Sequence, residues 1–242
     1  MRPLPLAAAL AVLVAFVAGL AAAQVPNDPR PPVPTGTITT PAPSETEGEG
    51  LPPVSTTPPA PPPAVEPEIS WRDSRAIGLP YAGRLVRGVQ FPAAWPHLFT
   101  WDPLLHRSPN RSWRRWGTDG LVRVTLRVVR AYAAAHPGAP PVGIGDLSRP
   151  RGGYFGPKHA SHQNGLDVDV YYPRKDRLER PPKTAVQVDR RLAQALVDGF
   201  VAAGAGKVFV GPNVGLHGPR GVVHELAHHD NHLHARFPRW RA

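Results

Sequence analysis

The chain has 242 residues, 33 of them proline, no cysteine, and 28 Lys and Arg against 18 Asp and Glu, a formal net charge of +10. That length suits one sizeable domain with room for extra segments, and a hydrophobic content of 41% can fill its core. The lack of cysteine excludes disulfides, thiolate zinc sites, a cysteine nucleophile and a lipidated cysteine anchor, while the proline excess points to a part that is not globular.

The chain begins with Arg2, an apolar run from Leu4 to Ala23, and a closing Ala21-Ala22-Ala23. A basic start, an apolar stretch and a small-residue site read as a secretory signal peptide over residues 1–23, removed after Ala23. The other reading is a retained anchor, because the run is near the minimum length for a bilayer span. Residues 24–69 hold fifteen prolines, with Ser, Thr, Gly and Glu filling much of the rest. Such a stretch buries too little apolar surface to offset its conformational entropy, and its prolines favour an extended spacer. It reads as a tether. The tether also masks charge. Residues 70–242 keep 26 Lys and Arg against 12 Asp and Glu, a net of +14. A cationic surface of this kind favours polyanions. The export signal argues against nucleic acid and for anionic cell-envelope polymers, although an arginine-rich genome would leave the same excess.

From residue 70 the composition becomes that of a domain. Thr118 and Asp119 can cap a helix, and Leu121, Val124, Val128, Ala131 and Tyr132 follow at helical spacing, which predicts an amphipathic helix over 118–136 ended by Pro137-Gly138. Residues 141–147 read as a short strand. Residues 166–172 alternate apolar and acidic side chains and read as another. A second helix is expected over 184–203, with Val188, Leu192, Leu196 and Phe200 on one stripe. Strands at 207–210 and 232–237 complete the set. Helices and short strands without strict βαβ repetition favour an α+β fold with a small, mostly antiparallel sheet flanked by helices.

Five of the eleven histidines lie between His224 and His234. His232, His234 and Arg236 alternate with Leu233 and Ala235, so on a strand the three polar side chains share one face. One imidazole can then bind a metal while the other stands beside it. The remaining ligands must come from elsewhere. His159-Ala160-Ser161-His162 is followed by Asp167 and Asp169 on one face of the 166–172 strand, and Gly165 allows a tight approach into it. Two carboxylates on one strand face are costly to bury without a cation or donors. His162, Asp169 and His234 together form an N2O set that suits zinc with a position left open for water, as amide hydrolysis requires.

The segment from His159 to Asp169, joined to His232-Leu233-His234, resembles the penicillin-insensitive murein endopeptidases, within the wider superfamily of lysostaphin-type, D-alanyl-D-alanine and hedgehog-type metallopeptidases. Ala76-Ile77-Gly78, Gly83 to Gly88, Gly145-Asp146-Leu147-Ser148 and Gly152-Gly153 also look like that family. The resemblance spans residues 75–236. It implies an α+β fold around zinc and hydrolysis of D-alanyl to diaminopimelyl cross-links in peptidoglycan, in the periplasm or outside the cell. It implies that His162, Asp169 and His234 bind the metal and that His232 orients or deprotonates the water or stabilises the charged intermediate. It places His229 in the same pocket, and His159 as an alternative ligand or a supporting residue. His224 and His228 read as surface residues. Some family members carry a second metal held partly by a downstream Asp and His. Here no histidine occurs between His162 and His217, so one zinc ion is expected. A zinc-stabilised wall-binding module without turnover and a D-alanyl-D-alanine carboxypeptidase are the alternative functions. The oligomeric state is not legible.

Overall fold

Why this chain folds as it does is clearest in two strands that alternate strictly. The computed structural model describes residues 66–157 and 159–240; the expected signal peptide and nearly all of the expected tether lie outside them. Eleven strands and two helices follow in order: β1 (Arg75–Leu79), β2 (Ala82–Val86), β3 (Val89–Gln90), β4 (Ala94–Trp95), β5 (Leu98–Thr100), β6 (Trp116–Gly117), α1 (Asp119–Ala135), β7 (Val142–Ile144), β8 (Asp167–Tyr171), α2 (Arg190–Ala202), β9 (Lys207–Val210), β10 (Val223–Glu225) and β11 (His232–Arg236). Seven of these strands form one sheet in the order β10-β9-β11-β8-β7-β5-β4; β1 with β2 and β3 with β6 form two small pairs.

Strands β8 and β11 lie side by side near the centre of the sheet. Val168, Val170, Leu233 and Ala235 face the hydrophobic core with the inner faces of α1 and α2. Asp167, Asp169, Tyr171, His232, His234 and Arg236 therefore face the other way. Antiparallel pairing sets His234 opposite Asp169 and Arg236 opposite Asp167. A slip of one residue would send every imidazole into the core and every valine into the cleft, so burial of the apolar face holds the register.

The α1 helix starts where its cap predicts: the Thr118 side chain accepts from Leu121 N. Its buried stripe is Leu121, Val124, Leu126, Val128, Val129 and Tyr132, whereas Ala131, expected on it, is exposed. The second helix differs more. It begins at Arg190, capped by Asp189, and the expected first turn is a short 3-10 segment, Ala185–Gln187, broken by an extended Val188. An Asp that accepts from the backbone two or three residues ahead is a strong helix start, and it overrides the apolar periodicity upstream. The expected 141–147 strand shortens to Val142–Ile144 because Gly145 and Asp146 turn to bracket β8, with Gly145 N donating to Asp169 O and Asp169 N to Asp146 O. The sheet is larger than expected but mostly antiparallel, as expected, with β10 parallel to β9 and β5 parallel to β7. Both helices pack on one face of it. Among the described residues no helix is long and apolar enough to cross a membrane.

Candidate metal centre

His162 sits in the loop that feeds β8, with φ of +67°. A non-glycine residue in that region is costly and persists only where its surroundings hold it. Here they do. His162 N donates to Asp167 Oδ2 at 3.2 Å, and Ser148 Oγ donates to His162 O at 2.6 Å. Its ring Nδ1 faces Leu147 O at 2.6 Å, so Nδ1 carries the proton and Nε2 is left as a lone pair. Gly165 closes the loop at φ +77°, where a Cβ would lie 2.8 Å from Leu85. The tight approach expected at this glycine is thus required by its backbone and by its neighbour.

The other imidazoles are oriented in the same manner. His234 Nε2 donates to Asp167 Oδ1 at 2.9 Å, and its Nδ1 lies 3.0 Å from Asp169 Oδ1. His232 Nδ1 donates to Asn231 Oδ1 at 2.6 Å, and its Nε2 lies 3.8 Å from Asp169 Oδ1. His162 Nε2 lies 3.4 Å from the same oxygen. Three ring nitrogens therefore converge on one carboxylate oxygen, and that oxygen is buried without an aligned hydrogen bond. A buried carboxylate oxygen is nearly always satisfied. Lone pairs that meet without sharing hydrogens are the geometry in which a cation fits, and two imidazoles with one carboxylate suit zinc.

His159 stands at the edge of this group. Donor atoms of His159, His162 and Asp169 lie within 4.8 Å of one another. Its Nε2, however, also lies 3.8 Å from Asp146 Oδ2. On the other side of Asp169, His234 has its Nε2 committed to Asp167 and its Nδ1 turned to Asp169. His229 stacks on His232 with ring centroids 4.7 Å apart and donates from Nδ1 to Ala227 O at 2.9 Å. His228 is exposed at the cleft edge, and His224 lies apart, with Nε2 3.0 Å from Lys207 Nζ. The histidines border a cleft of about 760 Å³ whose outer walls include Tyr81, Leu104 and Leu226.

Two supporting acids carry more than their spacing revealed. Asp167 is fully buried and receives His234 Nε2, Arg236 Nε at 2.6 Å and His162 N. Asp146 receives the Arg114 guanidinium and Asn110 Nδ2 at 3.1 Å, and Arg114 in turn lies over the rings of Trp113 and Phe155. Phe155 also packs against His159 and His162. The shared strand face of Asp167 and Asp169 was the available signal for the first. Nothing in local sequence joins Arg114 to Asp146.

The electrostatics follow from burial opposed by close charges. Burial disfavours the charged form of His234, but the Asp167 and Asp169 carboxylates beside it outweigh this and raise it to about 9. His162 is raised for the same reason, with Asp169 overcoming desolvation. Burial would raise Asp169, yet the nearby His162 and His232 hold it well below the usual range, and His234 with its neighbours brings Asp167 down to about 2. Burial dominates at His232 and lowers it to about 4; it also lowers His229 and His159. The pocket thus demands positive charge at Asp169, supplied by protons or by a cation.

Two outcomes follow. Asp167→Ala should weaken metal affinity by about 10–100-fold, since supporting partners of ligating histidines carry effects of that size; competition with a chromophoric chelator measures it, and unchanged affinity would remove Asp167 from this role. The second concerns the chelated protein. A raised His234 contributes stability that is present below its unfolded value of 6.5 and is lost as pH rises through about 9. The lowered Asp167 contributes stability that is present above 3.8 and is lost as pH falls through about 2. The urea midpoint of the chelated protein should therefore decline between pH 6.5 and 9, and added zinc should abolish that decline. A midpoint flat across the window without metal would contradict the assignment.

The penicillin-insensitive murein endopeptidase family model matches residues 76–200. Proteins named penicillin-insensitive murein endopeptidase from Salmonella paratyphi B, Salmonella newport and Salmonella heidelberg are each 43% identical to this chain over 58 residues, 24% of this chain and 20% of the relative. The chain thus spans about a fifth of the length of these curated relatives. The family match includes His159, His162 and Asp169 and stops before β9, so His232 and His234 join the group through the sheet.

Proposed function

Because this chain belongs to the penicillin-insensitive murein endopeptidase family, we propose that it is an exported zinc metalloendopeptidase that hydrolyses D-alanyl to diaminopimelyl cross-links in peptidoglycan. The observation that carries the reading is the convergence of His162 Nε2, His234 Nδ1 and His232 Nε2 on the unsatisfied Asp169 Oδ1. His162, Asp169 and His234 would hold one ion, with His159 at its edge. A zinc ion there supplies a Lewis acid and lowers the pKa of water toward neutrality.

The chain's own groups do the rest. Asn231 fixes the proton of His232 on Nδ1, so Nε2 accepts the proton of the attacking water and returns it to the departing amine. Burial keeps that imidazole neutral, so its Nε2 lone pair is free, and it makes the proton taken there easy to pass on to the amine. His229, stacked on His232, restricts its rotation. Asp167 holds His234 and Arg236 in place from below.

Two other functions fit less well. A wall-binding module without turnover has no use for His232 poised beside the ligand set. A carboxypeptidase needs a cation to hold the substrate's terminal carboxylate. Among the described residues bordering the cleft, Arg236 is the one guanidinium, and Asp167 already engages it. Purified protein incubated with cross-linked muropeptide dimers should release monomers, and a chelator should stop this until zinc is restored. Dimers left intact under every condition would sink the reading, and release of free D-alanine alone would favour the carboxypeptidase.

A further inference from the structure

The outer face of α1 carries a second concentration of chemistry, across the sheet from the histidines. Its charged exposed positions are Arg123, Arg127 and Arg130, spaced i, i+4 and i+7 on one face. They border a hollow of about 550 Å³ with Trp71 and Trp95. The Arg123 guanidinium lies 3.8 Å from the centre of the Trp71 ring, and that tryptophan still keeps 40% of its surface exposed. Arg130 lies over Trp95 and pairs with Glu66 at 2.6 Å. Arg127 has no carboxylate partner among the described residues. Trp95 is 9% exposed, and its indole Nε1 has no hydrogen-bond partner.

Each part has a ligand preference. An exposed indole face stacks on apolar ring faces and cations, and its N–H seeks an acceptor. A guanidinium fork matches a carboxylate in two places at once. A polymer of sugar rings bearing carboxylates supplies ring faces, hydroxyl acceptors and anions together. Residues 70–242 carry a net +14, which attracts such a polymer from a distance.

We propose that this face of α1 is a non-catalytic site for a carboxylate-bearing glycan polymer, with a sugar ring on Trp71 and carboxylates on Arg123 and Arg127. The choice of peptidoglycan, whose sugars offer the ring faces and whose peptide stems carry the free carboxylates, rests on the proposed function. Because α1 packs on the sheet face opposite the cleft, a strand held here is not the peptide being cut. The site keeps the enzyme on the polymer while the cleft samples nearby cross-links.

Sedimentation of the full chain with purified peptidoglycan, stripped of other polymers, tests this in a chelator and in the Asp169→Asn background, so that nothing is cleaved. Arg127→Glu and Trp71→Ala should each weaken binding about tenfold, the scale of losing one charge-assisted contact. Arg220→Glu, an exposed arginine elsewhere, should change it less than twofold. Amidating the polymer's carboxylates should weaken the parent to the level of the variants. Equal binding by parent and both variants would overturn the proposal. So would displacement by polyglutamate or single-stranded DNA as effective as that by soluble glycan fragments, since charge alone would then suffice. Failure of the proposed hydrolysis reads out separately: muropeptide dimers would stay intact with otherwise active-site-normal protein, whatever the sedimentation shows.

Discussion

Asp169→Asn protein should fold, lose its zinc and hydrolyse muropeptide dimers at least about a thousandfold more slowly, a loss of ~4 kcal/mol of transition-state stabilisation. The substitution keeps the volume of a side chain that is only 7% exposed, so the packing of β8 against β7 and β11 survives. What disappears is the anion on which His162, His232 and His234 converge. An amide offers a neutral oxygen in place of a carboxylate, and its NH2 group would meet the lone pairs of those rings. Metal content by atomic emission, taken with the rate on a soluble dimer, decides the outcome. Zinc retained at one ion per chain with an unchanged rate would show that Asp169 is not a ligand. Zinc lost with full activity would remove metal from the mechanism.

His232→Ala is the complementary case. Zinc should stay bound, KM should change little, and kcat should fall by about 10²–10⁴, the usual worth of a positioned acid or base. The side chain lies beside the ligand group, with Nε2 3.8 Å from Asp169 Oδ1 and Nδ1 spent on Asn231. Its removal therefore takes away a proton acceptor and leaves His162, Asp169 and His234 in place. Added imidazole should restore part of the rate by entering the space vacated next to His229. An unchanged kcat would end the role given to His232; zinc lost along with activity would make it a ligand instead.

Much of this molecule can be read one residue at a time. Thr118 caps α1 and the buried stripe follows, because helix caps and apolar periodicity are local. The two-residue spacing of His232, His234 and Arg236 and of Asp167 and Asp169 is likewise local, and it leads directly to two polar strand faces. Short pieces escape such reading. Strands of two residues such as β3 and β6 have too few side chains to show a period, and they exist only because each pairs with the other across more than twenty residues of chain. The second helix starts later than its apolar stripe suggests, because Asp189 caps it at Arg190 and leaves Val188 extended.

Which groups are available can be read from the chain: imidazoles and carboxylates at alternating positions of two strands, and a cationic stretch that follows an apolar run and a proline-rich segment. Which atoms face which depends on the folded sheet. Pairing β8 with β11 set His234 against Asp169, and the fold then gave each ring a partner for its protonated nitrogen: Asp167 for His234, Asn231 for His232 and the carbonyl of Leu147 for His162. Those partners choose the tautomer, and the tautomer chooses the free lone pair. Asp167 was visible in the sequence only as a neighbour of Asp169, and Leu147 only as an apolar residue. A side chain's identity is written in the chain, but the direction of its lone pair depends on a hydrogen bond across the sheet, and that bond exists only after the sheet has formed.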